Sequence, residues 1–211
     1  MFRTLFFTES RFLFIILTLI CGVFCIFKQN RIWALATYVF LIGALMIFYR
    51  VPNRTLNLSE QSTMGIIAPC DGVIKAIEVD GKNQRTKIVV FLNIFDQHLQ
   101  YYPINGRVVE KIFTAGSFAP AYMLEKSKNN ERMHVKLEGR KGIVGITQIA
   151  GQIARRIVNH AQVGGGHVKQ GDYMGMIKLS SRVDIEFPSG NYVLNVKVGQ
   201  IVRAKETLLA I

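Results

Sequence analysis

The chain has 211 residues, half of them hydrophobic, and a formal net charge of +12. That length fits one compact domain plus an appendage. Three cysteines without a spacing pattern exclude a disulfide framework and a zinc site and point to a reducing compartment. No dense basic helical stripe or aromatic-basic motif accompanies the positive charge, so nucleic acid is not an expected partner.

The apolar excess is concentrated in the first fifty residues. Phe12 to Phe27 is an uncharged run, and after Lys28-Gln29-Asn30-Arg31 a second run extends from Ile32 to Tyr49. Each is near the lower end of the roughly 17–25 residues that cross a bilayer as a helix. Trp33 and Tyr49 stand near the ends of the second run, where amphipathic rings favour the interface. No small-residue cleavage pattern follows the first run, which argues against a signal peptide. The expectation is a membrane-anchoring helical hairpin over residues 1–54, spanning or re-entrant. Arg3, Arg11, Arg50 and Arg54 flank its two ends, against Lys28 and Arg31 in its turn. That bias places both termini in the cytoplasm, with the rest of the chain facing the cytoplasm from the cell's inner membrane.

From Thr55 onward there are 20 lysines and arginines against 13 acids, an excess of +7 that would draw a tethered domain to anionic headgroups. Apolar residues here alternate or come in short runs bounded by Gly, Pro, Asn and Asp, as in Gly72–Val79, Lys87–Leu92, Arg107–Phe113 and Val183–Phe187. This is the pattern of strands and turns, with one short helix expected over Pro120–Ser127. The fold class expected for 55–211 is mainly β. Two internal echoes refine it. Ala68-Pro-Cys-Asp-Gly-Val-Ile matches Tyr102-Pro-Ile-Asn-Gly-Arg-Val, each opening a strand with an Asx-Gly turn, and Val163–Ile177 matches Val198–Ile211. Such units recur in barrel-sandwich folds.

Few polar residues suggest chemistry. Asp71 lies at a strand-opening turn. Asp96 and His98 leave an apolar run two positions apart, so a carboxylate and an imidazole share one side of an extended segment. Arg155-Arg156 could contact phosphate. Ser180-Ser181, between two strand-like runs, is unremarkable by itself. Cys70 reads as a packed small residue. His134, His160 and His167 lack metal-ligand spacing, and no metal is expected.

Six segments in order then give a family resemblance. Phe48-Tyr-Arg-Val-Pro-Asn-Arg54, Ala68-Pro-Cys-Asp-Gly72, Phe95-Asp-Gln-His98 with Pro103-Ile-Asn-Gly106, Asn130-Glu-Arg132, Gln148-Ile-Ala-Gly-Gln-Ile-Ala-Arg-Arg156 and Gly175-Met-Ile-Lys-Leu-Ser-Ser-Arg-Val-Asp184 resemble the short, prokaryotic-type phosphatidylserine decarboxylases. The resemblance implies a proenzyme that cuts itself between Ser180 and Ser181, leaving a β chain 1–180 and an α chain 181–211. Ser181 would become a pyruvoyl group, the covalent cofactor that forms a Schiff base with the substrate amine. Decarboxylation builds a carbanion at Cα, no ordinary side chain is an electron sink, and a carbonyl supplies one. The implied substrate is phosphatidylserine, drawn from membrane lipid and converted to phosphatidylethanolamine and carbon dioxide. The implied catalytic residues are Ser181, His98 as proton donor and Asp71 orienting the imidazole. Arg155 and Arg156 are the candidates for the lipid phosphate, and a homodimer is compatible with the sequence. The chain departs from the family at Ser180, where Gly is usual, and at Tyr101, where longer relatives carry a second histidine. Two other readings stay open on the residues alone: a membrane-tethered carrier or adaptor with Lys178 as the modified residue, and an unprocessed scaffold.

Overall fold

The computed structural model describes residues 12, 14–23, 31–56, 64–152, 156–178 and 181–211. Two units divide between Pro52 and Asn53. In the first, α1 (Phe14–Val23) and α2 (Arg31–Phe48) are both apolar. They meet where Thr18 Oγ1 lies 3.1 Å from Tyr38 Oη. Only Phe48 of α2 is buried, and Ile32, Trp33 and Phe40 are almost wholly exposed. A helix that is apolar on all sides has no polar face to give to water, and α2 is long and apolar enough to cross a membrane.

The second unit is built of strands β1 (Ile66–Ile67), β2 (Gly72–Asp80), β3 (Arg85–Leu92), β4 (Leu99–Tyr101), β5 (Gly106–Thr114), β6 (Arg132–Gly139) and β7 (Gly142–Ala150). These are followed by β8 (Ile157–Asn159), β9 (His167–Val168), β10 (Tyr173–Ile177), β11 (Ser181–Pro188), β12 (Ile201–Val202) and β13 (Leu208–Ala210). The four runs expected as strands are β2, β3, β5 and β11. The helix expected over Pro120–Ser127 is replaced by turns and a single 3-10 turn at Lys126–Asn129. Buried Asn130 explains this. Its side chain takes Ala119 N–H and donates to Ala119 O and Ala150 O (2.8–2.9 Å), so the segment is folded back on the sheet rather than wound on itself.

An eight-stranded antiparallel sheet has the order β12-β2-β3-β11-β7-β6-β5-β9, joined by a three-stranded sheet β4-β10-β8 and the pair β1-β13. The order is nearly a palindrome, and the internal echoes account for it. β2 and β5 open the same way, each partnered on its outer side by a two-residue strand, β12 or β9, from the second echo. A Cβ on Gly72 would lie 2.3 Å from Phe91 O, and one on Gly106 would lie 2.3 Å from Glu138 O. Both Asx-Gly turns therefore serve the same close approach of backbone to backbone.

The core lies on the inner face of the large sheet, where Val183, Ile185 and Phe187 of β11 alternate inward with Ile88 and Val90 of β3 and Val144 and Ile146 of β7. Forcing a methyl against a fixed carbonyl costs about 1–3 kcal/mol. Gly72→Ala and Gly106→Ala are therefore each expected to lower stability by about that much, measured as a fall in thermal midpoint.

Candidate active site

Three connections join neighbouring strands of the large sheet to neighbouring strands of the three-stranded one. β3 leads to β4 through residues 93–98, β7 leads to β8 through 151–156, and β10 leads to β11 through 178–180. The strands they join keep the same neighbours in both sheets: β3-β11-β7 in one, β4-β10-β8 in the other. Ser181, the first residue of β11, is paired with Leu92 and Ala150, the last residues of β3 and β7. Met176 and Ile177 of β10 are paired with Leu99 and Ile157. The bond before Ser181 thus belongs to the connection between β10 and β11, the middle strands of the two sheets, and the connection between their neighbours β3 and β4 carries His98.

Ser181 shares the inner side of β11 with Val183 and Ile185 and is fully buried. Its Oγ has no hydrogen-bond partner among the described residues. A buried hydroxyl without a partner is costly. His98 is also fully buried. Its Nδ1 is 2.8 Å from Asp96 O. A carbonyl only accepts, so Nδ1 carries the proton in the neutral ring and Nε2 is the basic nitrogen.

The backbone of His98 is held by a chain of buried amides. Gln100 Nε2 donates to His98 O (2.7 Å), and Gln148 Nε2 donates to Gln100 Oε1 (2.8 Å). Asn159 Nδ2 donates to Gln148 Oε1 (2.7 Å), and Ala161 N–H donates to Asn159 Oδ1 (2.9 Å). A carbonyl at one end and an N–H at the other fix the orientation of every amide between. Lys111 Nζ, 2.9 Å from both Asn159 O and Ala161 O, closes the far end. The chain crosses from β4 through β7 to β8, so it ties the His98 crossover to the strand that pairs with Ser181.

Asp71 is engaged elsewhere. Arg54 grips both of its oxygens, with Nη2 2.8 Å from Oδ2 and Nη1 on Oδ1, and Ala204 N–H adds a bond of 2.8 Å to Oδ1. None of its hydrogen bonds is to His98. Tyr101, in the place of the second histidine of longer relatives, is buried beside this pair and receives a hydrogen bond from Gln97 Nε2 (2.8 Å). Lys205 Nζ lies 4.2 Å from the centre of its ring. Burial pushes the Cys70 thiol well above its ordinary value, and Asp71 and Asp96 push the same way, so Cys70 is no rival nucleophile.

Arg182, on the opposite side of β11 from Ser181, pairs with Asp184 through Nε–Oδ1 (2.8 Å) and Nη2–Oδ2 (3.0 Å), and its Nη1 donates to Ser127 Oγ (2.9 Å). Burial raises the Asp184 carboxyl above its ordinary value while Arg182 pulls it down. Ser180 and Arg155 lie outside the described residues. Arg156 is exposed, and its carbonyl accepts from Lys178 N–H (3.1 Å) in the neighbouring crossover. Among the described residues no group of three or more His, Cys, Asp or Glu could hold a metal ion. Met176 and Ile177 are buried in the middle strand of the small sheet, so the segment before Lys178 is not the exposed hairpin tip that a lysine-modified carrier presents.

A serine buried at the head of a central strand suits attack on its own backbone better than on a diffusing substrate, which is the situation of a self-processing proenzyme. Residues 42–210 match the family model for phosphatidylserine decarboxylase. The chain is 33% identical over 215 residues to the phosphatidylserine decarboxylase proenzyme of Zymomonas mobilis subsp. mobilis, covering 95% of this chain and 84% of that one. It is 36% identical over 193 residues to that of Pelagibacter ubique (85% and 87% covered), and 33% identical over 183 residues to that of Bacteroides thetaiotaomicron (84% and 77% covered). The chain belongs to the phosphatidylserine decarboxylase family, in its short prokaryotic proenzyme form.

Gln100, Gln148, Asn130 and Arg182 have no role legible in the sequence, and Arg54 none beyond its place beside the apolar runs, although all but Gln100 stand within the family-like segments. For Gln100, Gln148 and Arg182 the signal is a polar residue inside a mostly apolar strand. Gln148→Glu keeps the shape of the side chain but removes the donor to Gln100. It is expected to lower turnover about tenfold or more, with a deficit that deepens as rising pH ionises the introduced carboxyl, measured as a kcat–pH profile against the parent. Arg182→Met, which strands the Asp184 carboxylate in the interior, is expected to cost about 3–5 kcal/mol by chemical denaturation.

Proposed function

We infer that the chain is made as a precursor and cuts itself between Ser180 and Ser181, so that 1–180 becomes the β chain and 181–211 the α chain. The family is one of pyruvoyl-dependent carboxy-lyases whose group is generated from serine, and phosphatidylserine decarboxylation is the activity. The observation that carries the residue assignment is the buried, unbonded Oγ of Ser181 at the crossover beside His98.

Basic Nε2 of His98 takes the Ser181 proton as Oγ attacks the carbonyl carbon of Ser180. The peptide nitrogen leaves as the amine of residue 181, and an ester joins the two residues. Loss of the Cα proton of residue 181 expels the Ser180 carboxylate, and hydrolysis of the resulting dehydroalanine releases ammonia. The residues fit the pyruvoyl group this leaves: residue 181, buried at the head of a doubly paired strand, would hold it away from bulk water. That group supplies a carbonyl that binds the substrate amine and accepts the electrons released with carbon dioxide. His98 then returns a proton to the substrate carbon. Asp71, ion-paired with Arg54, acts on His98 through its field rather than by a hydrogen bond. Arg155 and Arg156 are the candidates for the lipid phosphate, and the exposure of Arg156 is compatible with that role.

Residues 1–54 form the membrane anchor, a hairpin in the cell's inner membrane with the catalytic domain, 55–211, on the cytoplasmic side. The near-exposed apolar surface of α2 supports this reading, and the paired echoes support a barrel-sandwich-like catalytic domain.

Intact-mass measurement on a denatured sample tests the assignment. Two fragments divided between Ser180 and Ser181 are expected, the smaller with a ketone at its start. Ser181→Ala is expected to give one uncut chain and no carbon dioxide release. His98→Ala is expected to lower turnover about 100-fold or more; turnover near that of the parent would remove His98 as the proton donor.

A further inference from the structure

The exposed aromatic side chains of the second unit, among the described residues, are Phe95 (70% exposed), Phe113 (55%) and Tyr122 (53%), whereas Tyr101, Tyr102, Phe187 and Tyr192 are buried. All three exposed rings belong to the end of the large sheet where Ser181 lies. Phe95 follows Leu92, the partner of Ser181, by three residues. Tyr122 stacks edge-on against Phe91, which is paired with Arg182. Phe113 is one residue from Thr114, whose row continues through Arg132 and Ile149 to Arg182. Exposed Ile94 and Met123 sit beside two of these rings. The opposite end of the same strands carries exposed Val79 but, among the described residues, no exposed ring, and is lined by charged Glu78, Asp80, Arg85, Lys87 and Glu186.

Aromatic and long apolar side chains gathered on loops at one end of a domain mark a contact surface. The substrate says what that surface meets. Phosphatidylserine keeps two acyl chains in the bilayer, and carrying them through water to a buried serine is prohibitive. The charge near the rim is suited to an anionic lipid surface. Lys126, Lys128, Arg156 and Lys178, with Arg132 at the head of β6, outnumber Asp96, Glu125 and Glu131 at this end.

We propose that Ile94, Phe95, Phe113, Tyr122 and Met123 form a rim that enters the interfacial layer of a bilayer containing anionic phospholipid, so that the mouth of the Ser181 site opens onto the membrane surface. The rim residues belong to the second unit, the apolar helices to the first. The helices hold the chain at a membrane, whereas the rim orients the catalytic unit and lets a headgroup reach the site while its chains stay in lipid.

The proposal rests on Ser181 as the reacting residue, and the test keeps the two apart. The full-length, self-cleaved enzyme and its Phe95→Ser/Phe113→Ser variant are given two substrates. One is long-chain phosphatidylserine in vesicles with phosphatidylcholine; the other is short-chain phosphatidylserine dissolved below its micellar concentration. The variant is expected to cut itself fully, to turn over the soluble substrate within about twofold of the parent, and to lose about tenfold or more on vesicles. Equal losses on both substrates, or no loss on vesicles, overturn the rim as a bilayer contact; the second result would leave it as a surface for a protein. Failure of the parent enzyme to cut at Ser181 would instead remove the site assignment. Phe113→Trp in a Trp33→Phe background gives a measurement independent of turnover. Its emission is expected to shift to the blue on adding these vesicles and to be quenched by brominated acyl chains, and an unchanged spectrum counts against the proposal.

Discussion

Because β11 is hydrogen-bonded to β3 along its whole length and to β7 along six residues, its first residue has no lateral freedom. Reaction of a backbone bond with its own neighbouring side chain requires that kind of fixation, since the attacking oxygen and the carbonyl carbon belong to adjacent residues and few backbone angles bring them together. The crossover before Ser181 is short, and both its flanking strands are clamped between neighbours. What positions the serine is therefore the sheet, not a local network around its hydroxyl. His98 is positioned differently. It belongs to a connecting segment rather than a strand, and directed hydrogen bonds hold its ring and its carbonyl, the latter backed by the amide chain through Gln148.

This division gives meaning to the polar residues buried about the site. Gln100, Gln148 and Asn159 sit where an apolar core would ordinarily continue, and each satisfies the next, so that burying them leaves no broken bond between His98 O and Ala161 N. On the other face, the Arg182–Asp184 pair and Ser127 fasten the covering segment 115–131 to the reactive strand. Asp71 serves neither strand directly. Its partner Arg54 comes from the start of the second unit, just after the apolar helices, and that pairing makes the residue at the strand-opening turn an electrostatic centre.

Much of this was legible in the sequence. Alternation and Asx-Gly turns gave β2, β3, β5 and β11, because these depend on local periodicity and turn chemistry, whereas the echoes showed repeated units without the strand order they form. Ser181 and His98 came from a family-like order of segments; alone, a Ser-Ser pair between strands is silent. The expected helix at Pro120–Ser127 failed because a distant residue, Ala150, draws Asn130 and the segment before it onto the sheet, and local propensity carries no record of such a bond. The expected bond between Asp71 and His98 is likewise absent from the geometry, since Arg54, seventeen positions earlier, takes the carboxylate. Gln148 was quoted for its motif but could not be given a role until β4 and β8 were seen on either side of it.

The palindromic strand order has one further consequence for the protein after its proposed scission. The carboxyl-terminal piece contributes β11 at the middle of the large sheet, β12 at one margin and β13 in the small pair, each bonded to strands of the other piece. Losing one peptide link removes none of these ladders, so maturation would leave the folded body intact while abolishing its single-chain connectivity. A denatured sample would then hold two polypeptides that must meet by diffusion before they can refold. The mature enzyme would owe its persistence to a high barrier against opening rather than to easy return, which makes synthesis as one continuous chain a condition of ever reaching the assembled state.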